Sequence, residues 1–196
     1  MGRKEYIDAK EKALHKLATA SVERKVDDKI LPILTILNGM EGYYTSSSCA
    51  GRIVLLQIPQ IGDKQGAVFL GIWHRTIIPG EITTAAANAT QGLLWLLAQA
   101  PILHIGAQTS QYADTLVKAA ISCGFKNSAM KSSGKKIIIE LSSTERLDAP
   151  IGKDGRLFCE EEYLHLLTEI ANEVIERSQQ KLIRFEKNLR KIVNVL

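Results

Sequence analysis

The segment Thr45-Ser46-Ser47-Ser48-Cys49-Ala50-Gly51-Arg52-Ile53-Val54-Leu55-Leu56 joins a hydroxyl-rich stretch to an apolar run. Its first eight residues hold four hydroxyls, one thiol, one glycine and one arginine. The apolar run predicts a buried strand that begins near Gly51. Hydroxyls, backbone N–H groups and the planar guanidinium of Arg52 are suited to hold a phosphate or a carboxylate. The segment therefore predicts a turn that binds an anion and opens onto a strand.

The composition is that of an ordinary globular chain. Of 196 residues, 45% are apolar and 23% are charged. No linker, low-complexity segment or internal repeat interrupts the sequence, which predicts a single domain over residues 1–196. No apolar run approaches the roughly 20 residues that span a bilayer, and residues 1–16 carry charges of both signs rather than an apolar signal region. Cys49, Cys123 and Cys159 form no CxxC pair, so we expect a cytoplasmic protein with reduced thiols, no membrane association and no metal.

The charge is unevenly distributed along the chain. The formal net charge is +4, but residues 178–196 carry five Lys or Arg against Glu186 alone. Between Asp114 and Glu140 stand five lysines and no acid. Two basic segments on a near-neutral body favour a face that binds a polyanion. Ordinary surface lysines are the alternative interpretation.

Apolar periodicity predicts alternating helices and strands, that is, an α+β fold in which one mixed β-sheet is flanked by helices. The last helix would be about 50 Å long and basic in its last third. The sequence contains neither Gly-x-Gly-x-x-Gly nor a P-loop, so no Rossmann-type or P-loop nucleotide site is evident. Helices are predicted over 3–24, from Asp27 or Asp28 to Leu37, and over 79–90, 109–123 and 160–193; strands are predicted over 51–58, 67–74, 93–98, 102–105, 125–130 and 136–141.

Two histidines lie on predicted strands. His74 ends a strand beside Arg75, and His104 stands in an apolar strand. Histidine can act as a general base near neutral pH, and with Cys49 it could form a nucleophile-and-base pair. The alternatives are that His74 satisfies a backbone carbonyl, that His104 is a hydrogen-bonded core residue and that Cys49 is a small buried side chain. The polar turn Gly124–Ser128 could likewise serve the turn alone.

The stretch Ser47-Ser48-Cys49-Ala50-Gly51-Arg52-Ile53 resembles the Ser-Ser-Cys-(Ser/Ala)-Gly-Arg-Ile motif of the wybutosine-synthesising protein three family. Further matches follow in the same order over roughly residues 5–190: Trp73 with His74, Ile102-Leu103-His104-Ile105 (family Φ-Leu-His-Val) and Gly124-Phe125-Lys126-Asn127-Ser128 (family Gly-Phe-Arg-Asn-Ser). The chain departs from the family at Leu97-Ala98-Gln99-Ala100-Pro101, where members have Phe-Glu-Pro-Phe, so an acidic contact is missing there. It also departs at Ala129, where a glycine follows Asn-Ser.

The resemblance implies an S-adenosylmethionine-dependent methyltransferase. Family members methylate N4 of a tricyclic guanosine derivative next to the anticodon, so the implied partner is the anticodon stem-loop of tRNA-Phe carrying a wyosine-type intermediate. His74 or His104 would be the base. The residues implied to hold the cofactor or a phosphate are Ser47, Ser48, Cys49, Gly51, Arg52, Asn127 and Ser128, and those implied to contact tRNA are Arg75, Lys126, Lys131, Lys135 and Lys136.

Two other classes of function stay open at this point. An RNA-binding module without catalysis would use the motif only to hold phosphates, and it would bind tRNA but no cofactor. A thiol enzyme would use Cys49 as its nucleophile and His74 or His104 as its base. Such an enzyme would be inactivated by thiol alkylation.

Overall fold

The computed structural model describes residues 2–63 and 65–193, with side chains up to 192. Within them the chain alternates helices and strands, as the periodicity predicts. The helices are α1 (Arg3–Val22), α2 (Leu31–Gly39), α3 (Pro79–Ala86), α4 (Ser110–Ser122) and α5 (Glu161–Val193). The strands are β1 (Tyr43–Cys49), β2 (Arg52–Ile58), β3 (Val68–Trp73), β4 (Leu93–Gln99), β5 (Ile102–Ala107), β6 (Ala129–Ser133), β7 (Ile137–Ser142), β8 (Arg146–Lys153) and β9 (Arg156–Leu157).

The described strands form two sheets, each with antiparallel pairing. One has the strand order β1-β5-β7-β6 and the other β3-β2-β4-β8-β9. The α+β class is confirmed, but the expectation of one mixed sheet is wrong. Two residues interrupt the strands and explain the difference. Gly51, with φ 97°, separates β1 from β2. Pro101, which has no N–H to donate, separates β4 from β5. Strands adjacent in sequence thereby enter different sheets.

The two sheets belong to two compact units assembled from interleaved segments. The first unit contains residues 1–50, 101–144 and 178–196, and the second contains residues 51–100 and 145–177. Helix α5 contributes to both. The single domain over residues 1–196 stays a prediction.

The core of the first unit lies on one face of the four-stranded sheet. Leu103 and Ile105 of β5 and Ile139 and Leu141 of β7 are fully buried there against apolar residues of α2, α4 and the last part of α5. The rings of Phe125 and Phe185 meet in this core with centroids 5.5 Å apart. The basic end of α5 therefore contributes to the core of the first unit. His104 and Glu140 lie on the opposite face of the four-stranded sheet.

The core of the second unit follows the same pattern. Ile53 and Leu55 of β2 and Leu94 and Leu96 of β4 are fully buried, together with apolar residues of α3 and of the first part of α5. Residues alternate in burial along β4. Gln99 at the end of β4 therefore lies on the face opposite the core, because successive side chains of a strand point to opposite faces, and Arg52 of β2, which pairs with Gln99, lies on the same face.

Candidate active site

The hydroxyl-rich segment is a strand and not the predicted turn. Residues Tyr43–Cys49 form β1, the edge strand that pairs with β5. Tyr43 and Thr45 are buried on the core side, which holds the strand in place although its hydroxyl-rich second half has little apolar surface. The prediction of a turn was wrong because the apolar anchors of β1 precede the hydroxyls.

A β-bulge in β1 decides which serine faces His104. The register shifts between Thr45 and Ser47, so Ser46 is the extra residue and Ser47 pairs with His104. Without the extra residue, the alternation of side chains would place Ser47 on the core side, since Thr45 is already there. The exposed Ser46 uses its Oγ to donate a 3.2 Å hydrogen bond to the carbonyl of His104, which fixes the bulge.

His104 is hydrogen-bonded through both ring nitrogens. Its Nδ1 lies 2.9 Å from Oγ of the exposed Ser47, and its Nε2 lies 3.0 Å from Oε2 of Glu140 on β7. The second oxygen of Glu140 lies 2.9 Å from Nζ of Lys131 on β6. A line of four side chains thus crosses all four strands of the first unit's sheet. We call Ser47, His104, Glu140 and Lys131 the Ser47–Lys131 row.

The charges of the row fix its proton positions. The hydrogen bond from Lys131, and next that from His104, holds the pKa of Glu140 below its usual value despite partial burial. The carboxylate is therefore ionised at neutral pH and can only accept, so Nε2 of His104 carries the proton. In neutral His104 the lone pair is then on Nδ1, where it accepts the hydroxyl proton of Ser47. This arrangement can remove a proton from a group placed at Ser47.

In the second unit, Arg52 lies in a polar contact with Gln99 and beside the ring of Phe69. Its Nε donates a 2.8 Å hydrogen bond to Oε1 of Gln99, and its guanidinium carbon lies 5.7 Å from the ring centre of Phe69. Among the described residues, the two terminal nitrogens of Arg52 have no hydrogen-bond partner. Gln99 lies in the segment where family members carry an acid, and because it is neutral the charge of Arg52 remains available to an anion.

The structure places His74 in a supporting contact. Its Nδ1 lies 3.1 Å from the carbonyl oxygen of Gly51, which can only accept, so Nδ1 donates. Gly51 has φ 97°, a conformation that glycine adopts without strain. His74 therefore holds the glycine turn ahead of Arg52, in agreement with the interpretation that it satisfies a backbone carbonyl.

The remaining motif residues differ in whether their polar groups are available to a ligand. The hydroxyl of Ser128 donates to the carbonyl of Phe125 at 2.7 Å and accepts from the N–H of Ser142 at 3.3 Å, so it stabilises the turn. The side chain of Asn127 in the same turn is exposed and makes no hydrogen bond to other described residues. Ser48 and Cys49 are half-buried, opposite Leu103 and Ile102 of β5.

The expected tRNA-binding cations also divide into two groups. Arg75 makes a two-pronged ion pair with Glu81, at 2.6 Å and 3.0 Å, and Lys131 belongs to the row. Lys126, Lys135 and Lys136 are exposed, and within the described part of the chain none has an ion-pair partner. Of the five expected cations, these three are the ones whose charge no described acidic residue compensates.

Sequence reasoning missed Glu140, Gln99 and Phe69. Glu140 follows three isoleucines in a predicted strand, and its acidic side chain within that apolar run was the available signal. Gln99 lies in the segment that departs from the family, but its contact with Arg52 follows only from the pairing of β2 with β4. Nothing in the sequence marks Phe69 as a neighbour of Arg52.

The described part of the chain contains no candidate for a metal site or for a membrane-spanning helix. No three His, Cys, Asp or Glu side chains in that part of the chain come together as a metal site would require. Likewise, none of its helices has the length and apolarity needed to cross a membrane.

Comparison with known proteins gives consistent matches. The family model described as "Methyltransferase TYW3" matches residues 8–191. A Pyrococcus furiosus protein named tRNA(Phe) 7-((3-amino-3-carboxypropyl)-4-demethylwyosine(37)-N(4))-methyltransferase 1 is 45% identical over 182 residues, which cover 92% of this chain and 93% of that protein. A Thermococcus kodakarensis protein with the same name and the number 2 is 38% identical over 186 residues, which cover 95% of this chain and 88% of that protein. The solved structure of the PH1069 protein from Pyrococcus horikoshii superposes with TM-score 0.90 at 44% identity, covering 95% of this chain and 96% of that one.

The matches identify a class of protein before they identify a family. The two antiparallel sheets and the helices of the described chain make an α+β fold, and the matching family model and relatives identify its class as a tRNA methyltransferase. The chain belongs to the methyltransferase TYW3 family. The resemblance found in the sequence motifs is confirmed.

Proposed function

We propose that this chain transfers a methyl group from S-adenosylmethionine to N4 of 7-(3-amino-3-carboxypropyl)-4-demethylwyosine in the anticodon loop of tRNA-Phe. The names of its relatives support the substrate. The observation that carries the proposal is the Ser47–His104 contact of 2.9 Å, with His104 held by Glu140 at 3.0 Å. Methylation of a ring N–H needs a group that takes the departing proton, and this geometry provides one. A tRNA substrate also supports a cytoplasmic location.

The chain's residues account for the proton and for the orientation of the base. When bound, S-adenosylmethionine would supply the methyl group of its sulfonium centre, with the S–CH3 bond breaking and the thioether S-adenosylhomocysteine leaving. As N4 gains the methyl group, its proton passes to Oγ of Ser47 while the hydroxyl proton of Ser47 passes to Nδ1 of His104. The imidazolium that results is stabilised by the ionised Glu140. The other contribution of the protein is to hold both reactants in line.

Arg52 fits the anionic part of the cofactor. The planar fork of a guanidinium matches a carboxylate, and the terminal nitrogens of Arg52 are without partners in the described structure. Gln99 orients the side chain through Nε, which leaves the fork available. We propose that Arg52 binds the carboxylate of the cofactor, and the alternative is that it binds a tRNA phosphate. Ser47, Ser48, Cys49, Gly51 and Asn127 are retained as further contacts of the cofactor or the base.

Replacing Arg52 with alanine should weaken anion binding without unfolding the protein. A lost charge-assisted hydrogen bond is worth roughly 1.5–3 kcal/mol, so we expect Kd for S-adenosylmethionine to rise about 10- to 100-fold. The matched control is Arg177→Ala, an exposed arginine of α5 that pairs with Glu173. Isothermal titrations with the cofactor and with tRNA show which of the two anions Arg52 binds, because only the affinity for that ligand should fall. Unchanged affinity for both would remove Arg52 from the site.

The three uncompensated lysines are proposed to contact phosphates of the anticodon stem-loop. Each phosphate contact contributes about 0.9 to the slope of log affinity against log salt. The double variant Lys135→Gln, Lys136→Gln should therefore reduce the slope by about 2, measured by filter binding. Lys118→Gln is the control, because Lys118 pairs with Asp114 within α4. A slope equal to that of the wild type would argue against a tRNA contact at these two lysines.

The proposed function is tested by calorimetric titration with S-adenosylmethionine, with and without tRNA-Phe that carries the unmethylated base. The proposal predicts cofactor binding in at least one titration. An RNA-binding module would bind the tRNA but not the cofactor.

The structure gives less support to a thiol enzyme based on Cys49. Both ring nitrogens of His104 are engaged by Ser47 and Glu140, and Nδ1 of His74 is engaged by Gly51. The lone pair of His104 is therefore directed at Ser47 and not at the thiol. Full methyl transfer by Cys49→Ala would exclude this function.

A further inference from the structure

Glu140 and Lys131, the two members of the Ser47–Lys131 row beyond His104, have a geometry that bears on where His104 carries its proton. Glu140 lies on β7 with its side chain only 18% exposed, and its two oxygens are divided between His104 and Lys131. Lys131 is the extra residue at the register shift between Met130 and Ser132 in the pairing of β6 with β7. A bulge therefore lies in each edge strand of the sheet, one at Ser46 and one at Lys131.

We propose that Glu140 is a positioning residue that fixes the tautomer of His104, and that Lys131 holds Glu140 in place for that purpose. The inference rests on the proposed role of His104 as the base. An ionised carboxylate at Nε2 accepts only an N–H, so it excludes the tautomer in which Nδ1 carries the proton. That excluded tautomer would offer an N–H to Ser47 and could not accept its proton.

Lys131 contributes in two ways. Its ammonium group occupies the oxygen of Glu140 that His104 does not use, so the carboxylate cannot rotate away from the imidazole. It also holds the pKa of Glu140 below its usual value, so the carboxylate stays ionised and can stabilise the imidazolium formed during the reaction. This role differs from the tRNA contact expected of Lys131.

The first test is Glu140→Gln, which keeps the size of the side chain. Glutamine can present either an acceptor or a donor to Nε2, so both tautomers of His104 become accessible. We expect kcat to fall on the order of 10²-fold with little change in the Kd of cofactor or tRNA. The control is Glu173→Gln, which removes a carboxylate from the exposed Glu173–Arg177 pair of α5.

Nitrogen-15 NMR of the histidine rings supplies a reading that a purely structural role would not change. The wild-type His104 should show the Nε2-protonated tautomer, and Glu140→Gln should show a mixture or the Nδ1-protonated form in a folded spectrum. Retention of the wild-type tautomer together with kcat within twofold would overturn the proposal. The NMR result decides the role of Glu140 even if the wild-type protein transfers no methyl group, so failure of the proposed function is distinguishable.

The second test is Lys131→Met, which keeps the length of the side chain and removes its charge. We expect kcat to fall about tenfold or more while the Kd of tRNA and its salt slope stay as in the wild type. A salt slope lower by about one with unchanged kcat would instead make Lys131 a phosphate contact and overturn its role in the row.

Discussion

Replacing His104 with alanine is expected to lower kcat for methyl transfer by about 10²- to 10⁴-fold, the usual contribution of a positioned acid or base. The reason is geometric: Nδ1 of His104 is the acceptor for the Ser47 hydroxyl at 2.9 Å, and within the described structure Ser47 has no other side-chain partner. The affinity for S-adenosylmethionine should change little, since Arg52 is assigned to the cofactor. Single-turnover rates with saturating cofactor measure the effect on chemistry.

The matched control for this variant is His15→Ala. His15 is an exposed residue of α1, and its replacement should leave kcat within about twofold of the wild type, as is common for surface positions. If His104→Ala transferred methyl groups as fast as the control, His104 would not be the base, and Ser47 would lose its assigned function as well.

Replacing Phe185 with alanine should cause the largest loss of stability. Phe185 on α5 is fully buried, and its ring lies 5.5 Å from that of the fully buried Phe125. Removal of a core phenylalanine costs about 3–5 kcal/mol, because transfer energy is lost and a cavity remains. Urea denaturation followed by circular dichroism should show a lower midpoint with little change in slope.

Ile183 of the same helix provides the control. Its side chain is 52% exposed, so Ile183→Ala should change the free energy of unfolding by only about 0.5 kcal/mol. Equal destabilisation by the two substitutions would contradict the assignment of the last part of α5 to the core of the first unit.

The sequence predicted the elements with strong periodicity. Apolar spacing and turn residues indicate correctly where α5, β2 and β4 lie. They also indicate the end of α4 near Gly124, whose φ is 103°. On α1 the apolar residues do not mark the buried face: Tyr6 is buried, while Ile7 is 44% and Val22 86% exposed. Periodicity identifies a helix well, but it does not show which of its faces finds a partner.

The sheets and the row could not be predicted because they depend on long-range pairing. Spacing along the chain does not reveal that β4 and β5, joined by two residues, enter different sheets. The motifs pointed to Ser47 and His104, but their contact requires a bulge at Ser46 that no local pattern indicates. Glu140 is 36 residues from His104, and only the pairing of β5 with β7 brings them together.

The most direct test of the account is an assay of the product nucleoside. The wild-type protein is incubated with S-adenosylmethionine and tRNA-Phe carrying 7-(3-amino-3-carboxypropyl)-4-demethylwyosine, and the digested tRNA is analysed by liquid chromatography and mass spectrometry. We predict that this nucleoside gains one methyl group, located on N4 by fragmentation, and only when the cofactor is present. An unchanged nucleoside from tRNA that demonstrably binds the protein would contradict the account.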